Sequence, residues 1–350
     1  MKTSIKTNLL VTAALLAMTV TTATAKSWRI NNDANMKPDF TDINAAMDSD
    51  DVQPGDTLYL DAGCTITTDQ KITKRVTVIG TGYFRPDAPH AHATISGELR
   101  IEAEYTKFES VSCSGQVYVY ADNVTVERCK LSGRITLSNN PYGYYNARFA
   151  TIRQCYIEAF GSNAVTGVSP GTMYDSCSSF ATIENCILNN SEISGLLSPT
   201  IKNNVIFSYN DYPLANMGNA IVMNNIFINR GDNTKMFNQV TGSTITNNVI
   251  VASEADFPAY AANNLFVAEQ GVLIWSGSND VKFQLAEGSP AKGYGILGGV
   301  AVDCGAFGGP NPYVLNGLPA GFPYYTQASV DARSKNGKVN VSLKIKMQDE

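Results

Sequence analysis

Histidine is nearly missing: the 350 residues hold two, His90 and His92, within RPDAPHAHATISG. A His-x-His pair ligates a metal only when both rings project from one face, and Asp87 is the one further ligand type close by in sequence. The pair reads as part of a solvent-exposed loop, and no metal is expected. The seven cysteines contain no C-x-x-C spacing, and that lack argues against a zinc site. Basic residues are short too, 26 against 31 acidic ones. Nucleic acid is therefore not expected as a partner, since phosphate binding needs a basic face. Beyond residue 20 no long apolar run occurs, so no membrane span is expected in the remaining chain.

What is present begins with a targeting pattern. Lys2 and Lys6 precede an apolar run from Leu9 to Val20, and Ala23-Thr24-Ala25 supplies a small–x–small cleavage signal. Residues 1–25 read as a secretory signal peptide, leaving a chain that starts at Lys26 and is exported to the periplasm, cell surface or extracellular space. No Cys stands at that cut, which argues against a lipid anchor. Removing the segment leaves 24 basic against 31 acidic residues, a net charge of −7. An acidic polysaccharide would then need a local Lys/Arg cluster or bound cations.

One short phrase recurs. The pattern hydrophobic–x–polar–(Cys/Asn)–x–hydrophobic fits Val126 to Leu131, Ile152 to Ile157, Ile183 to Leu188, Ile201 to Ile206, Val222 to Phe227 and Ile245 to Ile250, with a weaker copy at Ala261 to Phe266. Its fourth positions lie 26, 31, 18, 21, 23 and 16 residues apart. Such variable spacing marks a solenoid whose coils accept loop insertions. Val124 and Val126 alternate with polar residues and point inward. Leu131 lies five positions after Val126, so an unbroken strand would send Leu131 outward and a bend must intervene.

The third position (Arg128, Gln154, Asn185, Asn203, Asn224, Asn247, Asn263) drifts to Asn, which tolerates left-handed backbone. The fourth is only Cys or Asn. Cys is readily buried, so Cys129, Cys155 and Cys186 are placed inside, with Asn204, Asn225, Asn248 and Asn264 extending the column as a structural ladder of amides. Disulfides between adjacent coils are the alternative for the cysteines; Cys64, Cys113, Cys177 and Cys304 lie outside the column.

On these corners the chain resembles the right-handed parallel β-helix, or pectin-lyase-like, superfamily of exported bacterial type. DINAAMDSDDVQPGDTLYLDAG (42–63) resembles the entry segment of such proteins, with a short capping helix whose apolar face is Ile43, Ala46 and Met47. FQLAEGSPAKGYG (283–295) and DCGAFGG (303–309) resemble their closing segment. The resemblance implies an all-β solenoid over residues 26–312. Residues 313–350 read as a linker and a β-hairpin tail turning at Asn336-Gly337. Val339, Val341, Leu343 and Ile345 form one apolar face of that tail, expected to pack on the solenoid or cover its strand edge.

The fold hosts lyases, hydrolases, epimerases, adhesins and inert scaffolds. Residue motifs of its glycosidases (Asn-Thr-Asp, Asp-Asp, Gly-His-Gly, Arg-Ile-Lys) are missing from the central strands; Asp50-Asp51 lies in the entry cap. The patterns of its Ca²⁺-dependent pectate lyases are missing as well, and Ca²⁺ enters only under a lyase reading. Candidate carbohydrate contacts are Tyr142, Tyr144, Tyr145 and Arg148 in one insertion and Tyr174 and Asp175 in another, both preceding FATI strands. Arg230, Asp232 and Lys235 are the best charged cluster, although Arg230-Gly231-Asp232 also reads as a plain turn. Few charges are expected on the central coils. Two classes stay open: a non-catalytic exported β-helix that binds or is displayed at a bacterial surface, with a polysaccharide as ligand, and a polysaccharide-degrading enzyme, a lyase before a hydrolase. The catalytic residues and oligomeric state are not legible.

Overall fold

The computed structural model describes residues 25–84, 92–137, 147–159, 163–166, 180–209, 212–277, 279–319, 321, 323–330, 333–334 and 336–347. The chain is a parallel β-helix. Among the described residues, three sheets of ten, ten and eight strands run in parallel, and each coil visits sheets 1, 2 and 3 in turn. One coil reads Thr125–Glu127 in sheet 1, Lys130–Leu131 in sheet 2 and Ile135–Leu137 in sheet 3. Successive coils stack in register, with Val126 beside Phe108 and Ile152, then Ile183 and Ile201. All five side chains are buried, each contributing roughly 1.5–3 kcal/mol of hydrophobic stabilisation.

The entry end is closed by helix α1 (Ile43–Asp48), which buries Ile43, Ala46 and Met47. Asp42 accepts the Ala45 amide, and the buried Gln70 side chain from sheet 3 accepts those of Ile43 and Asn44. These bonds satisfy amides that a helix start leaves unpaired. Between sheets 2 and 3, glycine stands at the corner of three consecutive coils. A Cβ on Gly115 would fall 2.1 Å from the Gly97 carbonyl oxygen.

The corner between sheets 1 and 2 bends at one left-handed residue per coil: Arg128, Gln154, Asn185, Asn203, Asn224 and Asn247, with φ between 52° and 58°. Asn263 departs from that expectation. It ends a 3-10 turn, Ala261–Asn263, because the chain reaches this last corner from a helical turn and not from a strand of sheet 1.

At the next position, Asn204, Asn225 and Asn248 each donate an amide hydrogen to the Oδ1 of the Asn one coil on, at 2.9 Å, ending on Asn264. Each also donates to a carbonyl of the coil before, Asn204 to Ile183 and Asn225 to Ile201. Cys186 points its thiol at the same kind of carbonyl, that of Ile152, and Cys155 at that of Val126. Cys and Asn share the column because both are compact and donate a hydrogen bond to a carbonyl of the preceding coil. The described cysteines are free and buried, and burial pushes the thiols of Cys129 and Cys155 well up.

The last strand of the parallel ladder is Leu265–Val267. Residues 272–277 and 279–318 then double back outside the helix as a strap across sheet 2. Val272, Leu273, Phe283, Cys304, Ala306 and Tyr313 cover Tyr156, Ile187, Val205, Phe207 and Ile226 in a second apolar cluster. The strap is fastened by the left-handed corner residues. Asn224 donates to the Ile296 carbonyl, Asn203 to Asp303, Asn185 to Ala306 and Gly308, Gln154 to Pro312, and Arg128 to Leu318. Its far end is a buried relay in which the Tyr83 and Tyr313 hydroxyls meet at 2.8 Å and Tyr313 donates to Asp280.

The tail pairs Pro323–Val330 with Val341–Met347 in an antiparallel hairpin. Its apolar face is not covered: Val339, Val341, Leu343 and Ile345 are 48–57% exposed. The expectation that they pack on the solenoid is corrected, because the strap already occupies the outer face of sheet 2.

Candidate functional site

Residues leaving sheet 2 after Ile226–Asn229 form a tight turn. Asn229 Oδ1 accepts the amides of Gly231 and Asp232 at 3.1 and 3.2 Å, and its Nδ2 donates to the Lys235 carbonyl. With the strand ends Val251-Ala252 and Val267 to Glu269, the turn 229–233 walls a cleft of about 720 Å³.

Arg230 is the centre of its polar wall. Its Nε donates to Glu269 at 2.8 Å, and a second guanidinium nitrogen reaches the same oxygen. The guanidinium lies over the Trp275 ring, 4.3 Å from its centroid, and 5.1 Å from that of Phe207. Cation–π contacts of this kind favour Arg. Phe207 also packs edge-on against Tyr209, which is exposed. Trp275 adopts φ 52°, a costly conformation for so large a residue. Asp232 accepts from the Thr234 hydroxyl at 2.6 Å and from Lys235 at 3.2 Å.

These bonds fix the charges. Hydrogen bonds from Thr234, then Lys235, hold the Asp232 carboxyl below the usual carboxylate range. The Glu269 hydrogen bond raises Arg230 further. A general acid or base works best with a pKa near the working pH, and neither group is tuned that way. The arrangement can hold a polar ligand through a guanidinium, carboxylates and amides beside the apolar wall of Val251 and Val267.

The structure brings Arg230 and Asp232 to one cleft, with Lys235 behind Asp232 as its ion-pair partner. Arg148 lies at another corner, at the entry to sheet 1, where it pairs with Asp122 at 2.8 Å. Tyr142, Tyr144, Tyr145, Tyr174 and Asp175 lie outside the described residues, as does His90.

Sequence reasoning missed the aromatic backing of Arg230. Its signal was a lone Trp far downstream of Trp28. It also missed a column of charges on the central coils, which corrects the expectation of few. Glu109, Glu127, Arg153, Glu184 and Lys202 stand in register on the outer face of sheet 1. Lys107 bridges Glu109 and Glu127 at 2.7 and 3.0 Å, Arg153 meets Glu127 at 2.9 Å, and Lys202 meets Glu184 at 2.9 Å. Burial would lower the Lys107 pKa, but its bonds to Glu109 and Glu127 outweigh burial and raise it. Lys107 is thus held as an ammonium, a poor base for proton abstraction.

No family model matches the chain, and no curated protein matches it. Among solved structures it is similar to PfbA, a surface adhesin of Streptococcus pneumoniae, at 13% identity and a TM-score of 0.33 over 58% of this chain and 68% of that one. It is also similar to the PL6 family alginate lyase AlyGC, at 13% identity and a TM-score of 0.30 over 70% of this chain. The chain spans half of that lyase's length. The fold assignment rests on the three stacked parallel sheets themselves.

Proposed function

We propose that the protein is an exported β-helix that binds a polysaccharide in the cleft at Arg230 without cleaving it. The observation that carries this reading is the Arg230 guanidinium, laid on Trp275 and tied to Glu269 in an open cleft. Sugars present hydroxyls that charged groups and amides bond, and apolar C–H faces that pack on apolar side chains such as Val251 and Val267 of the cleft wall. The fixed protonation of Asp232 and Arg230 suits holding a ligand more than moving a proton. The signal-like residues 1–25 support export, and the acidic balance of the chain agrees with a non-nucleic-acid ligand.

The test is affinity electrophoresis and calorimetry of the purified protein against neutral and acidic polysaccharides, with and without Ca²⁺. Wild type is expected to bind at least one of them, and Arg230→Gln to weaken that binding at least tenfold. No binding across the panel overturns the reading. Unsaturated uronides or new reducing ends growing with time would replace it with a lyase or a hydrolase.

A further inference from the structure

A second group of polar side chains stands on the outer face of sheet 3. In register across four adjacent strands lie Lys71, Arg100, Tyr118 and Thr136. Their sequence neighbours Ile72, Ile101, Val119 and Leu137 point into the core, so the four project outward. Tyr120, two residues along the strand from Tyr118, sets its ring 5.6 Å from that of Tyr118 at an interplanar angle of 34°. The two rings make an aromatic floor.

Two arginines flank that floor. Arg100 stands directly opposite Tyr118 on one side. Arg134 immediately precedes the strand on the other side, its carbonyl accepting the Val117 amide. The Nε atoms of both guanidinium groups are buried and have no hydrogen-bond partner among the described residues. Buried donors are nearly always paired in folded proteins, and these two are not; the Arg100 side chain as a whole is 36% exposed and Arg134 is half-buried, so an acceptor from outside can reach the solvent-facing part of each guanidinium. Arg100 gives one terminal nitrogen to Glu98 at 3.0 Å. Arg134 has no acidic partner among the described residues, in a chain whose acidic residues outnumber its basic ones. The Tyr118 hydroxyl donates to Gln116 at 2.5 Å, which orients the ring. Glu102 stands beside Tyr120, at the end of the floor where the Tyr120 amide bonds the Ile101 carbonyl.

We infer that this face is a binding site for an anionic sugar, with the ring stacked on Tyr118 and its acidic group on Arg134. An oxyanion fits because a guanidinium offers paired donors in a plane that matches carboxylate or sulfate. A sugar fits because the Tyr118 ring lies between the two arginines, so that hydroxyls face Arg100 and Gln116 while the charge faces Arg134. The shared chemistry is an oxyanion on a pyranose; a uronate and a sulfated sugar both carry it.

Calorimetry at low and moderate salt tests the site with three probes: an oligogalacturonate, a sulfated dextran oligosaccharide and an unmodified dextran oligosaccharide. At least one anionic probe is expected to bind, more weakly as salt rises, and the neutral one at least tenfold more weakly. Arg134→Gln should lower the anionic affinity at least tenfold, Arg134→Lys should restore part of it, and Tyr118→Ala should lower it as well. Thermal melts check that each variant folds. The stronger of the two anionic probes tells carboxylate from sulfate. Equal affinity of Arg134→Gln and wild type, equal binding of neutral and anionic probes, or no anionic binding overturns the inference. Failure here leaves the cleft reading standing, since that reading is tested through Arg230.

Discussion

The side-chain amide of Asn185 donates to the Gly308 carbonyl at 2.7 Å and also to that of Ala306 at 2.9 Å. Asn185 is buried, and its backbone is left-handed at φ 53°. One residue thus turns the coil and fastens the strap. Asn185→Gly keeps the backbone admissible but orphans two carbonyls, and is expected to lower stability by about 2 kcal/mol. Asn185→Ala adds a left-handed cost of about 1–2 kcal/mol. Urea unfolding checks both: midpoints should fall in the order wild type, Gly, Ala, with an unchanged denaturant slope.

Asn225 offers a comparison inside the helix. It donates to the carbonyls of Ile201 and Met223 and to Asn248, and its oxygen accepts from the backbone and side chain of Asn204. Asn225→Ala is expected to cost about 3 kcal/mol, because several buried partners lose their bond at once. Asn225→Cys should recover about 1 kcal/mol of that, since a thiol at this place reaches the preceding coil as Cys186 reaches Ile152. Thermal and urea unfolding of the pair decide it; equal losses would show that the thiol contributes only bulk.

The sheet-1 charges give a pH dependence. Burial alone would raise the Glu127 pKa, but the Arg153 hydrogen bond and Lys107 outweigh it and hold the carboxyl low. A folded pKa below the unfolded value, about 4.3 for Glu, gives stability that is present above that value and lost as pH falls through the folded one. Glu127→Gln is therefore expected to be about 2 kcal/mol less stable at pH 7, with the gap closing below pH of about 4. Urea midpoints between pH 7 and pH 3 measure the gap, and a constant gap would refute the linkage.

The coil architecture was legible because its signal is local: one corner phrase, six residues long, recurs in coil after coil. The strap was not. The partners of Asn185, Asn203 and Asn224 are backbone carbonyls 72 to 123 residues away, and a carbonyl leaves no mark in sequence. A hint did exist in the unbroken apolar runs Val205-Ile206-Phe207 and Ile226-Phe227-Ile228, whose residues are buried on both faces of sheet 2. Alternation holds only where one face meets water. The charge column had a readable trace as well, at the second position of the same phrase: Glu127, Arg153, Glu184, Lys202. It was overlooked because complementarity appears only when coils are read across and not along. Arg230 and Asp232 were found as a cluster, but Trp275 and Glu269 join them from later in the chain, which spacing alone does not reveal. Alternation marks the apolar residues of the tail, and the structure leaves them exposed.

The strap also sets an order of assembly. It runs against the direction of the coils, so the sequence separation of its fastenings grows from 72 at Asn224–Ile296 to 190 at Arg128–Leu318 and 230 at Tyr83–Tyr313. Coils can form as neighbours stack, but no corner fastening can close until the chain reaches Ile296. Closing the shortest loop first makes each later closure a small extension, since loop entropy rises only with the logarithm of length. The corner fastenings therefore close from the youngest coil toward the oldest, and a chain halted before residue 296 keeps a finished solenoid whose apolar side is covered only by the first part of the strap, Val272 to Phe283. During synthesis or export, that side is the surface a chaperone would have to shield until the last fifty or so residues arrive.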